Sequence, residues 1–116
     1  METIEVLKKQ FISYAMEHSQ FLENGEGKKA NRIHKKMHLL YLKIKEFDKV
    51  DILRELLDDE HECVRLWAAG FCLKTIPNAA VQELKKLKKS SNFFIRTDAE
   101  VTLKLYKNRE WDKLLV

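Results

Sequence analysis

The chain has 116 residues and a net charge of +4, and 45% of its residues are hydrophobic while 34% are charged. This length suits one domain with a buried core, so we expect residues 1–116 to form a single domain. No apolar run approaches the roughly 20 residues that span a bilayer, and the acidic start of the chain is unlike a signal peptide, so we expect a cytoplasmic protein without a membrane partner.

The low glycine and proline content favours helices over strands. The chain has three glycines and one proline, among many Leu, Lys and Glu residues, which is typical of helical proteins. We therefore predict an all-α fold of about six helices.

The first predicted helix begins at Ile4, where Thr3 is placed to cap it. Its apolar face follows three-and-four spacing. That face consists of Ile4, Leu7, Phe11, Ala15, His18 and Leu22. The stretch Asn24-Gly25-Glu26-Gly27 ends the helix, because two glycines in four residues supply the backbone angles of a helix terminus and a turn.

The second predicted helix runs from about Lys28 to Phe47. It forms an antiparallel hairpin with the first helix, because the loop between them is short. Its buried stripe is expected to consist of Ala30, Ile33, Met37, Leu40, Tyr41, Ile44 and Phe47.

Four shorter helices are predicted in the rest of the chain. Asp48 and Asp51 resemble a capping pair before a third helix, and an acidic turn containing Asp58 and Asp59 caps a fourth helix at about 60–74. Pro77 suits the first turn of a fifth helix. The turn Ser90-Ser91-Asn92 precedes a sixth helix. The inward residues of these helices are expected to be Val50, Leu53, Leu56, Leu57, Val64, Trp67, Ala68, Phe71, Cys72, Val81, Leu84, Leu87, Ile95, Ala99, Leu103 and Tyr106.

The C-terminal tail after Asn108 is apolar and contains Trp111, Leu114 and Leu115. Such a tail either caps the open end of the fold or forms an association surface, and we favour capping.

An internal repeat connects the later helices. A shift of 31 positions places Val64-Arg65 on Ile95-Arg96 and Ala68 on Ala99. The same shift places Leu53 and Leu56 on Leu84 and Leu87. This period indicates two helix-turn-helix units of one design. In each unit we expect the arginine to reach back to carboxylates or carbonyls of the preceding turn, such as those of Asp59 for Arg65.

The residues of the repeat are similar to the HEAT-like helical repeat. The similarity rests on Leu-Leu-Asp-Asp at 56–59, Val64-Arg65, Ala68-Ala69 and Ile76-Pro77. With Gln10-Phe11, the glycine turn and Asn31, the chain over about residues 3–112 resembles a family of small bacterial HEAT-like domains of unassigned function. The resemblance implies a short α-solenoid stack with the N-terminal hairpin packed on it. It implies no activity.

No catalytic constellation is recognisable. His34 and His38 are spaced to share a metal ion, but Lys35 and Lys36 lie beside them and no third ligand is evident, so we expect surface histidines. The acidic turn has no evident partner base, and a capping role for its carboxylates is favoured. We therefore predict no metal, no cofactor and no enzymatic activity.

The two cysteines, Cys63 and Cys72, are nine positions apart on one predicted helix, which prevents a disulfide between them there. We expect both to be reduced core residues, in keeping with a cytoplasmic protein.

Two basic clusters are the candidate partner-binding residues. They occupy 85–89 and 28–36, and the residues assigned to binding are Lys85, Lys86, Lys89, Arg32, Lys35 and Lys36. A solvated lysine face is the simplest interpretation, followed by an acidic protein partner and then nucleic acid, because the aromatic residues fall at buried spacing and do not interleave the lysines.

We therefore expect a non-enzymatic protein-binding module. Its sharpest form, by fold-level analogy alone, is an immunity-type protein that neutralises a partner toxin. The alternative is a helical repeat that binds nucleic acid through its basic helix faces.

Overall fold

The computed structural model describes residues 3–47 and 51–108, and these residues form six α-helices and no strand. The helices are α1 (Ile4–Glu23), α2 (Gly27–Glu46), α3 (Asp51–Leu56), α4 (Glu62–Cys72), α5 (Pro77–Leu87) and α6 (Phe93–Lys107). The prediction of an all-α fold with about six helices is confirmed.

The chain divides by its contacts into two compact units, residues 1–52 and residues 53–116. The first unit is organised around the packing of α1 on α2, and the second around mutual packing of α4, α5 and α6. The single domain over 1–116 stays a prediction.

The hairpin of α1 and α2 has the predicted Thr3 cap and most of the predicted core, although His18 and Leu22 are half-buried. The Thr3 hydroxyl accepts a hydrogen bond from the Val6 N–H at 3.2 Å, which satisfies a backbone donor of the first turn. Gly25 reverses the chain with a φ of +73°, in the left-handed region that glycine adopts without steric cost. The buried side chains are Leu7, Phe11, Ala15, Ala30, Ile33, Met37, Leu40, Tyr41 and Ile44.

Two predicted core residues of the hairpin are exposed. Ile4 is 44% exposed and Phe47 is 50% exposed. Ile4 is the first residue of α1, and Phe47 lies one position beyond the last residue of α2. A side chain at the end of a helix has neighbouring turns on one side only, so it is less covered than one in the middle. Helical periodicity therefore overestimates the burial of Ile4 and Phe47.

The third helix is shorter than its neighbours, and its apolar residues are buried. Leu53, Leu56 and Leu57 are buried as predicted, and Ile52 is buried in addition. The proposed capping residue Asp48 and the predicted core residue Val50 lie outside the described residues, as do Trp111, Leu114 and Leu115 of the tail.

The fourth helix begins later and ends earlier than predicted. Its N-cap is His61, with no side-chain cap, so the expectation that Asp58 or Asp59 caps this helix is wrong. Instead the Asp59 carboxylate accepts a hydrogen bond from the His61 backbone N–H at 3.0 Å, which stabilises the turn before the helix. At the other end, the Cys72 carbonyl accepts hydrogen bonds from Thr75 and Ile76, closing a turn ahead of Pro77. Pro77 is the first residue of α5, as predicted.

The apolar face of α4–α6 is partly as predicted. The predicted residues that are buried are Val64, Ala68, Phe71, Cys72, Leu84, Leu87, Ile95 and Ala99, whereas Trp67, Val81, Leu103 and Tyr106 are half-buried. Ala69, Leu73, Ala80 and Thr102 are buried in addition. The Trp67 ring lies 5.9 Å from the ring of Phe71, and its size leaves part of the indole in solvent, as is common for tryptophan.

The 31-residue repeat is visible in hydrogen bonds as well as in burial. Arg65 Nη1 donates to the Asp59 carbonyl at 2.7 Å, and Arg96 Nη1 donates to the Ser90 carbonyl at 3.0 Å. The side chains of Asp59 and Ser90 each accept a backbone N–H from two positions later, both at 3.0 Å. The two turns are therefore built alike, and the predicted role of both arginines is confirmed.

Candidate functional site

The lysines at the end of α5 form one exposed basic cluster, which we call the α5 lysine cluster. It consists of Lys85, Lys86, Lys88 and Lys89. Leu84 and Leu87 are fully buried, and their positions turn the adjacent lysines toward solvent. The four lysines line a surface depression of about 520 Å³. Lys85 and Lys86 also lie in the last turn of the helix, where cations complement the negative end of the helix dipole.

The outer side of α2 forms the second basic surface, which we call the α2 basic face. It consists of Lys28, Lys29, Arg32, Lys35 and Lys36, and all five are exposed. Lys29 makes a long ion pair with Glu26 at 3.5 Å and lies over the Phe21 ring. Such exposed pairs contribute little to stability, so this surface is not explained by internal salt bridges.

The net positive charge of the chain is concentrated on α2. The helix carries seven basic residues and one acidic residue, a net charge of +6, whereas the whole chain has a net charge of +4. The remaining residues are therefore slightly acidic. This asymmetry creates a strongly positive field beside one helix.

The six residues predicted to bind a partner fall into two groups. Lys85, Lys86 and Lys89 belong to the α5 lysine cluster in the second unit, whereas Arg32, Lys35 and Lys36 belong to the α2 basic face in the first. Among the described residues, none of the six forms an ion pair with a carboxylate. Their role in binding stays a prediction.

The carboxylates near the acidic turn are engaged in structural hydrogen bonds. Glu83 accepts from Arg65 Nε at 3.2 Å, and Glu62 accepts from the Ser90 hydroxyl at 2.8 Å. Asp59 lies 3.1 Å from Nδ1 of His61. A depression of about 290 Å³ opens between these groups, lined also by Asp58 and Lys86. These bonds connect α4 to α5 and to the turn before α6, so they hold the helices together.

Three histidines meet on the hairpin. The ring centroids of His34 and His38 are 4.5 Å apart, and the His18 ring on α1 lies 6.2 Å from that of His34. The pKa of His18 is lowered to about 4, mainly by burial and to a smaller extent by the nearby His34. His34 is exposed, but the ring nitrogens of His38 are buried, so His38 is not the surface histidine expected from sequence.

Sequence reasoning placed His18 on the apolar face of α1 and did not bring it together with this pair. Within the described ranges, no group of three or more His, Cys, Asp or Glu side chains is arranged to hold a metal ion.

The two cysteines are free, and Cys72 is buried while Cys63 is half-buried. The pKa of the Cys72 thiol is raised to about 11, because burial raises it by more than the hydrogen bond with Thr75 and the charge of Arg54 lower it. A thiol with a raised pKa is a poor nucleophile. Cys72 is therefore a packing residue, as predicted.

A groove between α1 and α2 was not predicted from the sequence. It has a volume of about 350 Å³, and we call it the hairpin groove. Its walls are formed by Val6, Gln10 and Tyr14 from α1 and by Lys36, Leu39, Leu40 and Lys43 from α2. One sequence signal pointed to it: Leu39 is a large apolar residue outside the buried stripe of α2.

The chain matches no protein-family model, no curated protein and no solved structure. The HEAT-like resemblance and the solenoid arrangement that it implies therefore stay predictions. Among the helices that the structure describes, none combines the length and the apolar character that crossing a membrane requires.

Proposed function

We propose that this chain is a non-enzymatic, cytoplasmic protein-binding module whose basic helix faces bind an acidic surface of a partner protein. One observation carries the proposal, namely that two carboxylates of the second unit are paired inside it whereas the clustered lysines are exposed. Glu62 and Glu83 are hydrogen-bonded inside the second unit, whereas the lysines of the α5 lysine cluster and of the α2 basic face are exposed. A partner that contacts either of these two basic surfaces therefore meets mainly positive charge.

Clustered lysines repel each other, and an acidic partner surface relieves that repulsion. The same field speeds association, because oppositely charged surfaces are steered together at low ionic strength. Each exposed ion pair contributes only about 0–1 kcal/mol. The lysines are therefore suited to orienting a partner and raising the association rate, while stable binding needs additional apolar contact.

The sharper version of the proposal is an immunity-type protein that covers the active site of a toxin. It rests on analogy with other small helical proteins that lack catalytic residues. Co-purification of the chain with the product of the adjacent reading frame tests it. A neighbouring gene that encodes a toxin and forms a complex supports this version, whereas a neighbourhood without a toxin and without a captured product contradicts it.

Charge reversal tests the broader proposal with the partner protein that co-purifies with the chain. We expect K85E/K86E/K89E or R32E/K35E/K36E to lower the association rate at least about tenfold at low salt, since steering depends on these charges. K104E/K107E, with two reversed charges, is the control, because Lys104 and Lys107 are exposed lysines of α6 outside both clusters. Equal rates for all three variants would contradict binding through the basic faces.

Nucleic-acid binding is the second candidate function, and the density of lysines in the α5 lysine cluster favours it. Against it, the cluster contains no aromatic side chain on which bases could stack. Fluorescence anisotropy with duplex and single-stranded DNA over a range of salt concentrations tests this function. Affinity that falls steeply and linearly with the logarithm of salt concentration supports it. No detectable binding at low salt removes it.

A further inference from the structure

The hairpin groove differs from the basic clusters because apolar side chains are exposed within it. Leu39 is 67% exposed, which is the highest value for a large apolar side chain among the described residues, and Val6 is 49% exposed. Single exposed leucines are common on protein surfaces and need no explanation. Here the leucine and the valine line the same depression from two different helices, and that placement makes the groove a candidate contact surface.

The groove also has polar groups at defined places. Tyr14 and Gln10 supply a hydroxyl and an amide from the α1 wall, and Lys36 and Lys43 supply ammonium groups from the α2 wall. Arg32 lies one helical turn before Lys36, on the same side of α2. The α2 wall is therefore a line of cations interrupted by Leu39, and it belongs to the helix that carries a net charge of +6.

We propose that the hairpin groove binds an acidic amphipathic helix of a partner protein. This inference rests on the proposed protein-binding function and names the surface and the chemistry of the partner. The parallel walls of two antiparallel helices accept a third helix, whose apolar residues at three-and-four spacing enter the groove. Glutamate and aspartate flanking those residues lie opposite Arg32, Lys36 and Lys43. The volume of about 350 Å³ holds a small number of side chains, as an anchor pair requires.

The apolar residues distinguish this partner from nucleic acid. A phosphate backbone would neutralise Lys36 and Lys43 but would leave Leu39 and Val6 facing a polar, hydrated strand. A partner helix with apolar anchors removes both side chains from water, and the area gained favours binding in a way that is independent of salt. The complex is therefore expected to keep part of its affinity when salt screens the lysines.

Selection from a displayed peptide library tests the inference. The library consists of helical peptides of about 18 residues, or five turns, with acidic, basic and apolar residues varied independently, and the bait is the full chain. We expect enrichment of peptides with apolar residues at three-and-four spacing and acidic residues beside them. The chemical shift changes that an enriched synthetic peptide causes are expected to centre on Val6, Gln10, Tyr14 and Leu39.

Two variants and one control make the test decisive. L39E is expected to weaken binding of the enriched peptide at least about tenfold, the effect of losing a central anchor. K36E is expected to weaken it about three- to tenfold, mainly through the association rate. K85E/K86E changes the α5 lysine cluster and is expected to leave the affinity within about twofold. Circular dichroism checks that each variant is folded, and Leu39 and Lys36 are exposed, so neither substitution removes a core contact.

Three results would overturn the inference. The first is enrichment of peptides without acidic residues or without apolar spacing, and the second is binding that L39E leaves unchanged. The third is a competition result in which duplex DNA or vesicles of an anionic lipid displace the bound peptide from the groove at a lower concentration than unlabelled peptide does. Peptides that map to Lys85, Lys86 and Lys89 would overturn the groove as the site but would support the broader proposal of a protein-binding module. Failure of the inference and failure of the proposed function are thus distinguishable.

Discussion

The α1–α2 hairpin and the α4–α6 unit are both helical, but they fix their helices by different means. In the hairpin, the helices are held by the buried apolar faces of α1, which includes Phe11, and α2, and by one glycine turn. In the α4–α6 unit, Arg65, Glu83 and Ser90 add hydrogen bonds between elements. The stabilisation from such hydrogen bonds depends on their geometry as well as on the buried area. We therefore expect this unit to tolerate changes of side-chain chemistry less than the hairpin does.

The largest expected effect lies in the apolar core of the hairpin. Phe11 is fully buried, and F11A is expected to lower the free energy of unfolding by about 3–5 kcal/mol, because it removes buried apolar area and leaves a cavity. Chemical denaturation of purified protein measures this loss. F47A is the matched control, since Phe47 is 50% exposed and its loss should change stability by about 0.5 kcal/mol or less. A similar loss for both variants would contradict the described burial.

The second effect tests the polar connection in the α4–α6 unit. R65M keeps most of the apolar stem but removes the bonds to the Asp59 carbonyl and to Glu83, whose side chain is 12% exposed. We expect a loss of about 2 kcal/mol, because the partly buried Glu83 carboxylate loses its counter-charge.

The repeat-equivalent variant R96M is the control. It removes the hydrogen bond to the Ser90 carbonyl and the contact with the Phe93 ring, and should cost about 1 kcal/mol. A double-mutant cycle between Arg65 and Glu83 isolates their coupling. Coupling near zero would show that the salt bridge adds nothing to the stability of this unit.

The third effect tests the glycine turn that orders the hairpin. G25A is expected to cost about 1–2 kcal/mol, because an alanine at a φ of +73° is strained even though its Cβ would meet no neighbour. G27A is the control at the first residue of α2, where φ is not positive and space is open, and it should be neutral or slightly stabilising. Thermal unfolding of the two variants side by side measures the difference, and equal stability would contradict the left-handed conformation of Gly25.

The smallest effect concerns pH and again belongs to the hairpin. The pKa of His18 is lowered to about 4 in the folded protein from 6.5 in the unfolded chain. Between these values the unfolded chain binds more protons, so the contribution of His18 is complete above about pH 6.5 and is lost as the pH falls toward 4.

His18 is half-buried, and allowing for solvent screening the loss should be about 1 kcal/mol. Denaturation of H18Q at pH 7 and pH 4.5, compared with the unsubstituted chain, measures it. We expect the pH dependence of the free energy of unfolding to be smaller in H18Q. An unchanged dependence would show that other groups cause it.

The elements most accurately predicted from the sequence are those that depend on neighbours in the chain. Thr3 as a cap, the glycine turn and Pro77 at the start of α5 follow from hydrogen bonds and backbone angles over a few residues, and all three are confirmed. The 31-residue repeat is likewise confirmed, because each copy of the turn is closed by local hydrogen bonds of the same kind. The errors have short-range causes too. Asp59 was predicted to cap α4, but its carboxylate binds the N–H of His61, which itself occupies the N-cap position, because two acidic residues before a helix can serve the turn or the helix equally well.

The features that involve distant residues were not predicted. The sequence did not show that Glu83 would be the partner of Arg65, 18 positions earlier, that Ser90 would bind Glu62, or that His18 would join His34 and His38. Nor did it show the hairpin groove. Each depends on which side chains two helices bring together, and helical spacing defines the faces of one helix but does not decide which residues of another helix lie opposite.

The helices, most of their buried faces, the repeat and the two basic clusters are therefore predictable from the sequence, because each of these is a property of local hydrogen bonding, periodicity or composition. Tertiary structure decided how the charges are used. Packing of α4 against α5 and α6 engages the carboxylates of Glu62 and Glu83 internally, and packing of α1 on α2 leaves Val6 and Leu39 exposed beside lysines. A buried carboxylate must be paired to offset its desolvation, whereas a lysine can extend its charge into water. That physical difference leaves the positive charges on the surface where a partner can reach them.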